Sequence, residues 1–216
     1  ILVTYGRFIG GFYLALGSLW VILIVAGLLF VGPRILRLIG MVREPILLAF
    51  STASSEAAYP RTFEALQRFG ISRRIAGFVL PLGYSFNLDG SMMYCTFAVI
   101  FIAQVYGIEL SAVQQISMLL LLMVTSKGMA GVPRASLVVI AATLTQFGMP
   151  EAGLLLILGV DHFLDMGRSA TNVVGNSVAT AVVAKWEREL GPERPIAPIP
   201  GVLAPALEDE GDTEIG

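Results

Sequence analysis

Cysteine and histidine occur once each in 216 residues. The lone thiol, Cys95, closes no disulfide within the chain and reads as a packed apolar group. The lone imidazole, His162, cannot build a zinc site by itself. Charge is scarce too: 14% of residues are charged against 56% hydrophobic, and mean hydropathy is +0.78. From Gly77 to Gly107 only Asp89 is charged, over a length well beyond one bilayer crossing. This leaves too little polar surface to clothe a soluble fold, so composition predicts an all-α membrane protein whose surroundings are lipid and not nucleic acid. A starting Met and a cleavable signal peptide are also absent. Ile1–Gly11 runs straight into an apolar segment, which suggests a piece of a longer polypeptide.

Five segments are present within residues 1–187. A spanning helix over 8–31 ends at Gly32-Pro33. Residues 44–69 pass from apolar PILLAF through STASSEAAYP to RTFEALQRFG. A long apolar run over 75–106 is interrupted by Pro81, Gly83 and the group Asn87-Leu88-Asp89-Gly90. Residues 110–147 hold SKGMAGVPRAS at their centre, and a last helix covers 151–184. Residues 188–216 are acidic and Pro-rich, the composition of a disordered tail.

Missing basic residues set the topology. Arg34, Arg37 and Arg43 precede the second segment and Arg68, Arg73 and Arg74 follow it, so the positive-inside rule puts both its ends in the cytoplasm. The links at 107–113 and 148–153 carry no Lys or Arg, whereas Lys185, Arg188 and Arg194 follow the last helix. The fourth segment then begins and ends outside. Charge favours two opposed re-entrant hairpins, 44–69 and 110–147, over the alternative of thin double crossings.

Broken helices in lipid free backbone groups that need partners, so they belong where the chain lines a cavity or meets other protein. At such breaks free N–H groups meet anions and freed carbonyls meet cations. Gly128, Gly131 and Pro133 let the second tip turn, and Ser54 and Ser55 mark the first. Asp89 in the third break needs a cation, a proton or a strong hydrogen-bond network. Lys127 and Arg134 either draw an acidic ligand toward the tip or snorkel to water.

The last helix carries Asp161, Asp165, Arg168, Asn172 and Asn176 at steps of four, three, four and four, one helical face. Such a stripe does not face lipid. Asp165 and Arg168 either neutralise one another for packing or receive a ligand: the guanidinium fork suits a carboxylate, and Asp165 suits an ammonium. Together they fit a ligand both acidic and amino-bearing. A channel is an alternative use of the stripe. A hydrolase built on Ser54 and His162 has no motif behind it, so no enzyme is expected.

In order, the serine-rich tip, Asn-Leu-Asp-Gly, Ser-Lys-Gly-x-Ala-Gly-Val-Pro and Asp-x-x-x-Asp-x-x-Arg-Ser-x-x-Asn resemble the dicarboxylate/amino acid:cation symporter family, over about Tyr5 to Glu187. Within it the match is closest to bacterial proton- or sodium-coupled glutamate/aspartate transporters. The resemblance implies a glutamate-transporter-like transport domain with two opposed re-entrant hairpins and broken transmembrane helices. It implies elevator-type, cation-coupled uptake of glutamate or aspartate in the bacterial cytoplasmic (inner) membrane, with C4-dicarboxylates as the alternative cargo and an anion channel as a remote one. A homotrimer would form through the absent N-terminal scaffold, the second hairpin would be the outer gate, and the tail would be cytoplasmic. No cofactor is implied beyond the coupling ions, H+ and/or Na+. Carried over by position, substrate contacts fall on Arg168, Asp165, Asn172, Ser169, Ser54, Ser55, Thr96, Gly131 and Val132. Cation contacts fall on Asn87, Asp89, Asn176 and Asp161, with sodium expected at Asn87 and Asp89. Asn176 stands where archaeal and animal relatives have a sodium-binding aspartate, and Leu88 replaces the usual methionine. Asp165, usually absent from C4-dicarboxylate carriers, favours an amino acid.

Overall fold

The computed structural model describes residues 2–127, 129 and 132–193. Among them the chain is wholly helical, without a strand, in the order α1 (Leu2–Phe30), α2 (Arg34–Met41), α3 (Arg43–Thr52), α4 (Tyr59–Phe69), α5 (Arg73–Phe86), α6 (Asp89–Val105), α7 (Ala112–Thr125), α8 (Ala135–Gln146), α9 (Leu154–Leu158) and α10 (Asp161–Trp186). A 3-10 turn, Glu151–Gly153, leads into α9.

Local sequence explains most of the ends. Gly32 (φ 87°) and Pro33 stop α1, and Ala53 (φ 51°) closes α3 in the left-handed region, turning the chain toward α4. Ser72 caps α5 by accepting from the Ile75 amide at 3.3 Å. Ser111 and Gln114 form a capping box at the start of α7. The expected break falls between α5 and α6, at Asn87 and Leu88.

The helix α10 is the axis of the packing. Every residue from Gly167 to Val178 is buried, and α1, α3, α5 and α6 all pack on it. One apolar core, containing Phe12, Tyr94, Val99, Leu122 and Ile140, joins α1, α6, α7 and α8. A second, containing Ile35, Leu66, Phe69, Leu80 and Val178, joins α2, α4, α5 and α10. The polar stripe of α10 runs between them. Outside, Val113, Ile116, Leu120 and Val124 form an exposed apolar stripe on α7, and Leu14, Val21, Ile22 and Leu29 are exposed on α1. Such faces belong against lipid or another chain. Val3–Phe30 and Arg73–Val105 are long and apolar enough to cross a membrane. The 14-residue α7 and 12-residue α8 reach only about 21 and 18 Å, short of a bilayer core of roughly 30 Å.

Three details differ from the sequence reading. The segment 151–184 is not one helix, because Gly159 and Val160 separate α9 from α10. An extra short helix, α2, precedes the 44–69 pair and is set off from α3 at Val42. Residues 188–193, assigned by composition to a disordered tail, are docked. Leu190 forms an isolated antiparallel bridge with Ile71, the Ser72 amide donates to the Glu189 carbonyl at 3.1 Å, and the Gly191 amide donates to the Gly70 carbonyl at 2.9 Å. Arg34 Nη2 donates to the carbonyls of Phe69 and Gly191 at 3.0 and 2.9 Å. Arg74 pairs with Glu189 at 2.6 Å, and Arg37 with Glu193 at 3.1 Å. These contacts offset the low hydrophobicity that suggested disorder. The remainder of that tail, 194–216, lies outside the described residues.

Candidate functional site

At the middle of α10, Arg168 is the largest fully buried side chain. Its Nε donates to Asp165 Oδ1 one turn earlier, as the i,i+3 spacing requires. Nη1 donates to Ser91 Oγ at 3.0 Å and Nη2 to the Val132 carbonyl at 2.8 Å. Asp165, also buried, uses its second oxygen to accept the Arg134 amide at 2.6 Å. The pair thus joins α10 to the start of α6 and to the second tip. A buried ion pair gives little net stability against an apolar replacement, because desolvation offsets the attraction.

Asn172, one turn on, is occupied differently from expectation. Its Oδ1 accepts the Gly90 and Ser91 amides at 2.9 and 3.3 Å, and its Nδ2 donates to Ser91 Oγ at 3.0 Å. Leu88, the residue before α6, supplies no side-chain cap, so a side chain from another helix does the capping. This needs close approach: a Cβ at Gly90 would collide with the Arg168 carbonyl. Ser91, which sequence reasoning missed, therefore touches both Arg168 and Asn172. Its position immediately after Asn-Leu-Asp-Gly was the available signal.

Thr96 is placed apart from this cluster. Its hydroxyl bonds the Met92 carbonyl within its own helix at 2.9 Å, and five residues beyond Ser91 it lies about 140° round α6. The structure does not bring it to Arg168. Ser169 is buried with no hydrogen-bond partner for its hydroxyl among the described residues. Ser54 and Ser55 are buried at the first tip, where Ser54 Oγ accepts the Ala57 amide at 3.3 Å. Ala49 and Ala58, on either side of that tip, pack with Val173. Gly131 lies outside the described residues, as does Gly128. His162 is exposed.

The expected cation residues separate into two places. Asn87 Nδ2 donates to Asn176 Oδ1 at 3.3 Å. Asp89 Oδ2 lies beside Gly175, where an added Cβ would collide with it and lie 3.8 Å from Asn87 Nδ2. One carboxylate and two amides meet here, oxygen donors suited to a hard cation more than to a zinc-like metal. No group of three or more His, Cys, Asp or Glu forms a metal cluster among the described residues. Asp161 is elsewhere, fifteen residues before Asn176, or about 22 Å along the helix. It accepts the Tyr94 hydroxyl at 2.5 Å, and among the described residues its Oδ2 has no hydrogen-bond partner and faces Arg134 Nε at 3.6 Å.

The two tip cations have distinct surroundings. Lys127 Nζ donates to the Phe86 carbonyl at 2.5 Å, closing the end of α5. Arg134 is left-handed (φ 64°) at the start of α8, and its side chain is largely exposed. A cavity of about 540 Å³ lies between the tips, lined by Glu56, Tyr59, Pro81, Tyr84, Ser85 and Met129. Arg168 is not among its lining residues.

Comparison with known proteins gives a consistent picture. The pattern of the Sodium:dicarboxylate symporter family matches residues 1–186. A "Proton/sodium-glutamate symport protein" of Bacillus caldotenax is 52% identical over 163 residues, 76% of this chain and 39% of its own. A "Proton/glutamate-aspartate symporter" of Escherichia coli (strain K12) is 51% identical over 166 residues, 77% of this chain and 38% of its own. A "C4-dicarboxylate transport protein" of Cupriavidus taiwanensis is 44% identical over 215 residues, 98% and 48% respectively. The chain spans two fifths to one half of the length of these relatives.

Proposed function

The chain belongs to the sodium:dicarboxylate symporter family, membrane transporters and not enzymes, and from that premise we propose that it is the transport-domain portion of a cation-coupled carrier of acidic amino acids. The observation that carries this reading is the buried Asp165–Arg168 pair, held between α6 and the second tip. A costly intramembrane ion pair with little stabilising value is a functional site by default. Arg168 receives a ligand carboxylate and Asp165 its ammonium, with Ser91 and the Ser169 hydroxyl, which has no partner among the described residues, beside them. Ser54 and Ser55 close the site from the first tip, and Val132 and Gly131 from the second. Asn172 contributes by fixing the start of α6, and Thr96 has no direct part.

The short helices of 44–69 and 110–147 support re-entrant hairpins entering from opposite faces. Because α10 packs against α1, α3, α5 and α6, residues 1–187 form a unit suited to moving as one body past a scaffold, an elevator-type cycle. The scaffold, and the homotrimer formed through it, belong to sequence outside this chain. Asn87, Asp89 and Asn176 receive the coupling cation, sodium or a proton. Location in the bacterial cytoplasmic (inner) membrane, with the tail in the cytoplasm, completes the proposal.

C4-dicarboxylates are the second reading, favoured by the 98% coverage of this chain by the Cupriavidus taiwanensis relative. Asp165 weighs against it, since a dianion would face a like charge. Proteoliposomes containing the full-length protein decide the matter. Labelled glutamate uptake driven by a sodium or pH gradient, inhibited by aspartate more strongly than by succinate, is the expected result. Preference for succinate rejects the amino-acid reading, and uptake indifferent to both gradients rejects coupling.

A further inference from the structure

The chain reverses sharply where α10 ends. Arg188 takes the left-handed region (φ 58°), and the amides of Arg188 and Glu189 fold back onto the Lys185 and Ala184 carbonyls at 3.3 and 2.8 Å. That pair of bonds is a Schellman turn, which usually has glycine at its left-handed position; here an arginine holds it. The turn aims the following residues at one place, the joint at 70–74 between α4 and α5. The Ser72 amide donates to the Glu189 carbonyl and the Gly191 amide to the Gly70 carbonyl, with Leu190 opposite Ile71 and packed on the second core. The two stretches run so close that a Cβ at Gly70 (φ 108°) would stand 2.4 Å from the Gly191 oxygen.

The same stretch reaches α2. Arg34, whose guanidinium lies 5.0 Å from the centre of the Phe69 ring, donates Nη2 to the Phe69 and Gly191 carbonyls together, and Arg37 pairs with Glu193. Because α2 leads into the first hairpin and 70–74 leads out of it, one short segment holds both ends of 44–69 and the end of α10. The ion pairs that complete the fastening are open to solvent, with Arg74 72% and Arg37 62% exposed. Exposed pairs are weak and screened by salt, so the segment can leave without opening either apolar core.

We propose that residues 188–193 are a releasable clasp, which fastens the base of the first hairpin to the end of α10 and so sets how freely the hairpin moves against that helix. Closed, α2, the 70–74 joint and α10 behave as one piece. Open, the two ends of the hairpin are free to part, and the hairpin is free to rock on the contact of Ala49 and Ala58 with Val173 at its tip. The clasp acts in this way whatever the carrier moves, so its test does not depend on the substrate.

Hydrogen–deuterium exchange of the full-length protein in micelles reads the opening of such a segment. A chain stopped after Glu187 lacks the clasp, and one stopped after Glu193 keeps it. Stopping after Glu187 is expected to speed exchange on the order of a hundredfold in both α2 and 70–76, the combined worth of two backbone hydrogen bonds and one from an arginine. Stopping after Glu193 leaves both at the wild-type rate. Glu189→Gln keeps the chain entire and serves where the shorter chain does not fold. Among the described residues the Glu189 carboxylate meets Ser72 and Arg74 at the joint and no group of α2. Its replacement is expected to speed exchange about threefold, the scale of an exposed pair, at the joint and equally in α2, because a clasp lets go of both together. Exchange in α7 stays at the wild-type rate throughout. Wild-type rates in α2 and 70–76 after stopping at Glu187 overturn the clasp. Acceleration by Glu189→Gln confined to 70–76 overturns it by making each contact local, and acceleration of α7 to the same extent as α2 overturns it as a general loss of stability. Equal acceleration after stopping at Glu193 overturns it by moving the fastening into 194–216.

Discussion

Replacing Asp165 by asparagine tests whether the buried pair is held by mutual neutralisation. The carboxylate receives one donor on each oxygen, Arg168 Nε on Oδ1 and the Arg134 amide on Oδ2. An asparagine side chain offers one oxygen and one NH2, so either rotamer sets a donor against a donor. It also leaves the fully buried Arg168 with no counter-charge in contact. One lost charge-assisted hydrogen bond is worth roughly 1.5–3 kcal/mol, and breaking a buried pair from one side costs about 3–5 kcal/mol. The larger figure already contains the smaller, so Asp165→Asn is expected to lose about 3–5 kcal/mol. Arg168→Met, which strands Asp165 on the Arg134 amide, is expected to lose a similar amount. The double variant removes both charges and is expected to lose no more than either single one, a coupling of about 3 kcal/mol or more. Unfolding titrations of the full-length protein in mixed micelles, run as a double-mutant cycle, measure it. Losses that add within about 0.5 kcal/mol would mean that the two side chains do not depend on one another, and the electrostatic account of the site would be refuted.

Two further expectations rest on packing and on pH. Gly90→Ala drives a methyl into the Arg168 carbonyl, which has no rotamer by which to yield; about 1–3 kcal/mol of stability is lost and glutamate binding falls, whereas an unchanged melting curve would disprove the contact. The Glu189 carboxyl is held below the ordinary glutamate value, first by its Ser72 hydrogen bond and then by Arg74. Its contribution to docking of residues 187–193 is therefore complete above the ordinary value near 4.5 and disappears as pH falls through the lowered one. Proteolysis of that segment should rise on acidification in wild type, and Glu189→Gln should remove the step; a step of the same size in the variant would clear Glu189 of the role.

What could be read in the sequence followed from periodicity and punctuation. The stripe from Asp161 to Asn176 was visible because a helix repeats every 3.6 residues, and the fold placed all five residues in or beside the packed centre. Asn-Leu-Asp-Gly announced a break, and a break is there. Partners were not legible. Asn172 has the residue type of a ligand contact, yet it caps a helix about eighty residues away in sequence, a distance at which no local rule applies. Thr96 is implied only by the family resemblance, while Ser91, on the face toward α10, makes the contacts with Arg168 and Asn172. Gly159 gave no reason to end a helix until Val160 was seen bending the chain. Residues 188–193 escape a reading by composition, which reports the lack of a core and not the backbone and arginine contacts that hold this stretch.

The discontinuity between α5 and α6 has a bearing on how the molecule moves. Each loose end there is finished by a group from a distant part of the chain: the last carbonyl of α5 by Lys127, the first amides of α6 by Asn172. Flexing at Asn87 and Leu88 would loosen both, and at the α6 end it would leave the buried Gly90 and Ser91 amides without their acceptor. The gap is therefore a splinted joint, stiffer than an uninterrupted helix would suggest by contrast with its irregular backbone. One splint comes from the second tip and the other from α10, so the two halves of the broken span are tied to different parts of the molecule and a movement of either part is felt at the joint.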